Sequence, residues 1–285
     1  MQAMVLSRAG TMARLIIIFL IAGVMLFTAF WIRYPNLPKK ILYQVFRSYE
    51  RMLMDYKTRN WNQIKGKHFI IKFQSNDGDV SSLVLETSEE AYGKVNKKLN
   101  YSTKKRVPII LYPDTQSLNR SFGWAADENA MGVYWAGIIR ILSPNSWIEN
   151  NNKEVVFKSD GPMVHEYAHY VVDQIASGNY PRWLTEGIAQ RVERSITGYK
   201  ITLSGEQEIY PLAKMDRDFD LLPNQSAAYL QSLAMVDFLV NHYGGETVLE
   251  DILHELGKGA TLNGAFKKII GINSAEFEAA FKIDK

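Results

Sequence analysis

The stretch His165-Glu166-Tyr167-Ala168-His169, with Glu186 further on in the run Trp183-Leu184-Thr185-Glu186-Gly187-Ile188-Ala189, decides how the rest of this chain is read. On an α-helix, side chains at i and i+4 project from one face about one turn apart, so two imidazoles at that spacing can bind one zinc ion. Glu166 is rotated about 100° from His165. That disfavours it as a third ligand and leaves it free to take a proton from water at an open zinc position. The third ligand must come from elsewhere in the chain.

The flanking sequence supports a packed helix around this motif. Asp160-Gly161-Pro162 suits a helix start, Met163, Val164, Tyr167, Ala168, Val171, Val172 and Ile175 supply an apolar face, and Ser177-Gly178 stops it. A second short helix is predicted from Pro181, whose missing N–H is no loss in a first turn. It carries Glu186, whose carboxylate completes a His165, His169, Glu186 set. Two neutral imidazoles and one carboxylate, with a fourth position left for water, is the donor arrangement of catalytic zinc. His254-Glu255 opens in the same way, but Lys258 stands where the second His is needed, so it reads as a surface pair.

His165-Glu166-x-x-His169 followed by Trp-Leu-x-Glu-Gly-x-Ala resembles the gluzincin metallopeptidases, and within them the bacterial peptidase-MA-like domains. The likeness runs from about Lys67 to the end and is most specific between Met163 and Ala189. Tyr229-Leu230-Gln231-Ser232 and Asn241-His242-Tyr243-Gly244 also resemble the C-terminal helical part of that family. The resemblance implies a zincin-like α+β fold, a small mixed sheet with the zinc-motif helix followed by a helical subdomain. It implies Zn2+ on His165, His169 and Glu186, Glu166 as general base and acid, and a peptide or protein substrate. A Tyr that donates to the developing oxyanion is part of the same pattern, and Tyr229 is the candidate, with His242 as a second donor in that region.

Zinc-bound His needs an acceptor on its second ring nitrogen, and Gln190 and Asp173 are the residues placed for that by helical spacing. Two rivals stand beside the peptidase reading: a zinc-bearing envelope domain that binds partners without turnover, and a zinc hydrolase of a non-peptide bond. A fourth protein ligand on the metal would favour the first rival.

Composition permits one substantial domain. The chain has 285 residues, 47% hydrophobic and 22% charged, with a net charge of +3, which points neither to nucleic acid nor to a strongly acidic partner. Cysteine is absent, which excludes disulfides, thiolate catalysis and Cys-based zinc sites. Oligomeric state stays open.

Leu15 to Ile32 is a run of eighteen residues without a charge, flanked by Arg14 and Arg33. As a helix it spans about 27 Å, and Trp31 and Tyr34 suit a membrane interface. It is read as an uncleaved single-pass anchor after a tail of residues 1–14, with a cleaved signal peptide as the competitor. The positive charges that follow the run point the domain inward, whereas the family resemblance favours an extracytoplasmic one, which is the expectation kept. Residues 33–66 form a juxtamembrane stalk whose Ile41, Leu42, Val45, Phe46, Tyr49, Leu53 and Met54 recur at helical spacing. That stalk is left to pack on the domain, lie on lipid or pair with another chain.

The folded part is predicted over 67–285, as an α/β part over 67–176 and a helical part over 177–285. Strands are expected at His68 to Gln74 and Val107 to Tyr112, with a helix near Ser81 to Leu99 between them. Gly132 to Trp135 and Ile138 to Leu142 form a hairpin around Ala136-Gly137 that is a candidate substrate edge. Helices follow at Ala227 to Tyr243, Thr247 to Leu256, Leu262 to Ile270 and Ser274 to Phe281.

Overall fold

The computed structural model describes residues 17–29, 37–123, 130–149, 152–199 and 208–284. Helix α1 covers residues 17–29 and α2 covers Leu37–Lys57. Strands β1 (Asn62–Lys65) and β2 (Phe69–Phe73) precede α3 (Gly78–Lys98), β3 (Val107–Tyr112), α4 (Thr115–Phe122), β4 (Gly132–Trp135) and β5 (Ile138–Leu142). Then come α5 (Lys153–Asp160), α6 (Met163–Ala176), α7 (Arg182–Thr197), α8 (Leu212–Arg217), α9 (Gln225–His242), α10 (Thr247–Gly257), α11 (Leu262–Ile269) and α12 (Ser274–Asp284). The architecture is mixed α+β, a small sheet followed by a helical C-terminal region.

The five strands lie in the order β1-β2-β3-β5-β4. The central pairs β2/β3 and β3/β5 are parallel, and the outer pairs β1/β2 and β4/β5 are antiparallel. Parallel neighbours need a crossover, which α3 supplies between β2 and β3. Every residue of β3 is buried, as expected for a strand covered on both faces. On one face Phe69, Ile71, Ile109, Leu111, Ile139 and Ile141 join the main core with α3, α6 and the C-terminal helices. On the other, Ile110, Tyr112, Ile138 and Leu142 pack under Leu118 of α4 and Met54 of α2. The 132–142 hairpin turns at Ala136-Gly137, both at positive φ (49° and 88°), and this leaves β4 on the open edge of the sheet.

The single-pass anchor expected at Leu15 to Ile32 is overturned. Among the described residues no helix is long and apolar enough to cross a membrane. Within that run the described residues 17–29 are helical, whereas a span needs about 20 apolar residues to cross roughly 30 Å of hydrocarbon core. Positions 15, 16 and 30–32 lie outside the described residues, as does the 1–14 tail. The single-pass membrane localisation with an outward catalytic domain rested on that anchor and goes with it.

The segment read as a stalk contains the predicted helix, α2, and one element not foreseen, β1, which pairs with β2 and extends the sheet. α2 packs on the domain by a mostly polar face. Tyr43 and Arg47 reach Asp173, Glu50 faces Arg140, and Met54 is buried. Ile41, Leu42, Val45, Tyr49 and Met52 face outward and are exposed.

Candidate metal and catalytic site

α6 forms as its sequence requires. Pro162 stands at its N-cap, nearly every position is buried, and the chain leaves it through Ser177 and Gly178, both left-handed at φ 55° and 77°. α7 follows from Pro181, also an N-cap, and runs further than a short helix, to Thr197. The two helices pack side by side, and this juxtaposition brings the two parts of the motif together. His165 Nε2 and His169 Nε2 are 3.1 Å apart, and Glu186 Oε2 lies 3.4 Å from the first and 3.3 Å from the second. One ligand atom from each of the three lies within 4.8 Å of the others.

These residues fit a divalent cation. Oε2 of Glu186 is buried and has no hydrogen-bond partner, although it faces two imidazole nitrogens. A buried carboxylate oxygen left bare is costly unless a cation satisfies it. Among the described residues the group comprises these three and no fourth protein ligand. Without an ion, His165 is held well above the usual imidazole range. Burial opposes its charged form, but Glu186 and Glu193 outweigh that effect. Glu186 is held well below the carboxylate range, because His169 and Arg182 outweigh the burial that would raise it.

Each imidazole is oriented through its other nitrogen. His165 Nδ1 donates to Glu193 Oε2 at 3.0 Å, and His169 Nδ1 lies 2.6 Å from Thr185 Oγ1. Neither partner is one of the two expected from spacing. Gln190 Nε2 donates to the carbonyls of Glu186 (3.2 Å) and Tyr229 (2.8 Å), tying α7 to α9. Asp173 receives Tyr43, Tyr134, Tyr180 and Arg47. The signal that finds Glu193 is its seven-residue separation from Glu186, two helical turns along the same face. Thr185 carries no such signal, since a neighbour of Glu186 in sequence points elsewhere on an ideal wheel.

Glu166 is buried at 6% exposure and lines the same cleft as the three donors. Burial raises its carboxyl above the ordinary range, and the neighbouring His165 and His169 oppose that shift. Gly132 of β4 packs directly against it. A Cβ there would stand 2.8 Å from Glu166 Cγ and 3.0 Å from Oε1, so glycine is what lets the edge strand approach the carboxylate. Gly187 does the same on the far side of Glu186, where a Cβ would come 2.3 Å from the Ser232 carbonyl of α9. That close helix contact places Tyr229 in the cleft facing Arg182, with burial first and Glu186 second pushing its hydroxyl up to about 12.

The cleft, about 920 Å³, runs from Arg182, Asp220, Gln225 and Tyr229 past the donors and along β4 to Glu50, Met54 and Lys57 of α2. His242 lies outside it, exposed at the end of α9 with Nε2 3.6 Å from Asp284. His254 is also exposed, but its neighbour Glu255 is buried, not on the surface as expected, and takes Lys258 at 2.7 Å and Lys268 at 2.8 Å, so this second His-Glu pair is engaged in ion pairs of its own.

Comparison with known proteins agrees with the region that carries the site. Residues 87–283 match the family described as the peptidase MA superfamily. A curated relative, the uncharacterized protein YhcO of Bacillus subtilis (strain 168), is 23% identical over 246 residues, covering 80% of this chain and 71% of the relative. Among solved structures, Legionella pneumophila aminopeptidase A in complex with aspartic acid aligns with 78% of this chain at 13% identity and a TM-score of 0.46. This chain spans 27% of that structure's length.

Proposed function

Because the chain belongs to the peptidase MA superfamily, we propose that it is a zinc metallopeptidase that hydrolyses peptide bonds in the cleft beside β4. Family membership supports a peptidase-like function. The observation that carries the metal-dependent reading is Glu186 Oε2, buried, unpartnered and aimed with two imidazole nitrogens at one point. His165, His169 and Glu186 would hold the ion. When bound, zinc supplies Lewis acidity that polarises a carbonyl and makes water a nucleophile near neutral pH.

The protein's own residues do the rest. Glu166 takes a proton from the attacking water and returns it to the leaving amine, roles suited to a carboxyl whose burial lifts its proton affinity. Tyr229 keeps its proton at any working pH, since its hydroxyl is pushed up to about 12, and donates to the carbonyl oxygen as charge develops there. Among the described residues β4 pairs only with β5 and lines the cleft, so an extended peptide can add to its other edge as a further strand. Main-chain pairing of this kind grips many sequences alike. A non-catalytic zinc domain is disfavoured, because three protein donors and an adjacent buried acid describe an open site.

The test is metal analysis of the full chain together with cleavage of a peptide library with and without chelator. Glu166→Gln is expected to keep zinc and to lose hydrolysis by about 10²- to 10⁴-fold. Wild-type rates in that variant would remove the assigned base.

A further inference from the structure

Arg182 opens α7 one turn before Glu186 and has no part in the steps above. Its Nε lies 3.0 Å from Glu186 Oε1, an i,i+4 pair, and 3.6 Å from Asp220 Oδ1. The two oxygens of Glu186 are therefore in different hands. Oε1 is held by a guanidinium, and Oε2 is bare and turned to the imidazoles. Carboxylates bind cations through one oxygen or both. A planar guanidinium donates along fixed directions, unlike an ammonium, so it can hold one oxygen in place while leaving the other free. The partner residues fix Arg182 in turn: Asp220 and Tyr229 flank it in the same cleft.

We propose that Arg182 is a positioning residue that restricts Glu186 to a single ligating oxygen and so preserves the open coordination position the reaction needs. This rests on the metallopeptidase reading and deepens it. If Oε1 were free it would turn toward the ion, Glu186 would chelate, and the position for water and the substrate carbonyl would be lost or crowded. A role of this kind differs from that of Glu193 or Thr185, which orient ligands for affinity. Because Arg182 competes with the ion for the same carboxylate, it adds nothing to the ion's affinity, and its removal leaves that affinity unreduced.

The test substitutes cobalt(II) for zinc in the wild-type chain, in Arg182→Gln and in Arg182→Lys, with zinc affinity measured by chelator competition on each. Visible absorption of cobalt(II) weakens as its coordination number rises. Arg182→Gln is expected to show weaker bands than wild type, unreduced zinc affinity, and a kcat lowered about 10- to 100-fold, the range for outer-shell residues, with KM little changed. Arg182→Lys keeps the charge without the planar fork and is expected to fall between, and it decides the matter should Arg182→Gln not fold. Identical spectra in the three proteins overturn the inference. So does a collapse of zinc affinity in the variants, which would make Arg182 an ordinary support of the site. A wild-type chain that binds neither metal overturns the metallopeptidase reading itself, and this inference with it.

Discussion

Two acids buried on neighbouring helices, Asp173 on α6 and Glu186 on α7, meet opposite fates. Asp173 is fully buried and every oxygen is occupied. Tyr43 donates to Oδ1 at 2.6 Å and Tyr180 at 3.2 Å, while Tyr134 donates to Oδ2 and Arg47 approaches it at 3.4 Å. Burial, then the Asp173 charge, pushes the Tyr43 and Tyr134 hydroxyls up, so both remain donors. Glu186 is as deeply buried, yet its Oε2 has no hydrogen-bond partner and meets only two imidazole nitrogens, at 3.3 and 3.4 Å. A saturated carboxylate joins pieces of a fold, and here it joins α2, β4, α6 and the turn before α7. An unsaturated one, facing two ring nitrogens, is arranged for something the polypeptide does not provide.

The comparison breaks most visibly if the two acids are exchanged in importance. Glu186→Ala is expected to bring zinc content and hydrolysis to background while the chain still folds. Atomic absorption and far-ultraviolet circular dichroism check both halves of that statement, and retained stoichiometric zinc would contradict it. Asp173→Asn should do the reverse. It is expected to cost about 3–5 kcal/mol of stability in urea denaturation, the scale for breaking a buried charged network, with zinc still bound by the folded fraction. A loss of metal at unchanged stability would place Asp173 in the site after all.

A smaller effect sharpens the contrast through pH. In metal-free protein the folded pKa of His165 is raised above its ordinary value of 6.5, so its contribution to stability is complete below that value and is lost as pH climbs through the folded one. Glu186 is depressed below its ordinary 4.5, so its contribution is present above that value and is lost as pH falls through the folded one. Both hold between 4.5 and 6.5, and the metal-free chain is expected to weaken on the alkaline side. Zinc needs neutral imidazoles, so its affinity should rise over the same range and cancel that decline. Urea midpoints across about pH 5 to 9, with and without zinc, measure it. A metal-free midpoint that climbs with pH would count against the coupling.

Much of the site was legible because short-range geometry fixes it. His165, His169 and Glu166 sit where one helix turn puts them, and Glu186 lies beside the two imidazoles, where a His, His, Glu donor set would need it. The hairpin limits, 132–135 and 138–142, also came directly from β-branched and aromatic runs around Ala136-Gly137. What the sequence hid depends on long-range placement. Arg182 gains its meaning from the oxygen of Glu186 that it holds, and Asp173, which continues the 165 and 169 stripe, looked like a ligand's support until three phenols and an arginine converged on it. Periodicity recognised α2 as a helix but not the side by which it docks, since its apolar residues at 41, 42, 45 and 49 face outward and its polar ones face in. The eighteen-residue apolar run misled because hydropathy counts residues and does not see the helix that carries them, and among the described residues no helix has the length and apolarity of a span.

The docking of α2 sets where this protein can be cut. A polypeptide begun at Lys67 would look complete by motif, yet it would lack Tyr43 and Arg47, opening the Asp173 cluster to water, and it would strip β1 from β2, leaving a bare strand at the margin of the sheet. The smallest unit that keeps those partners starts at or before Leu37, so truncations made for crystallisation or assay should leave that helix in place.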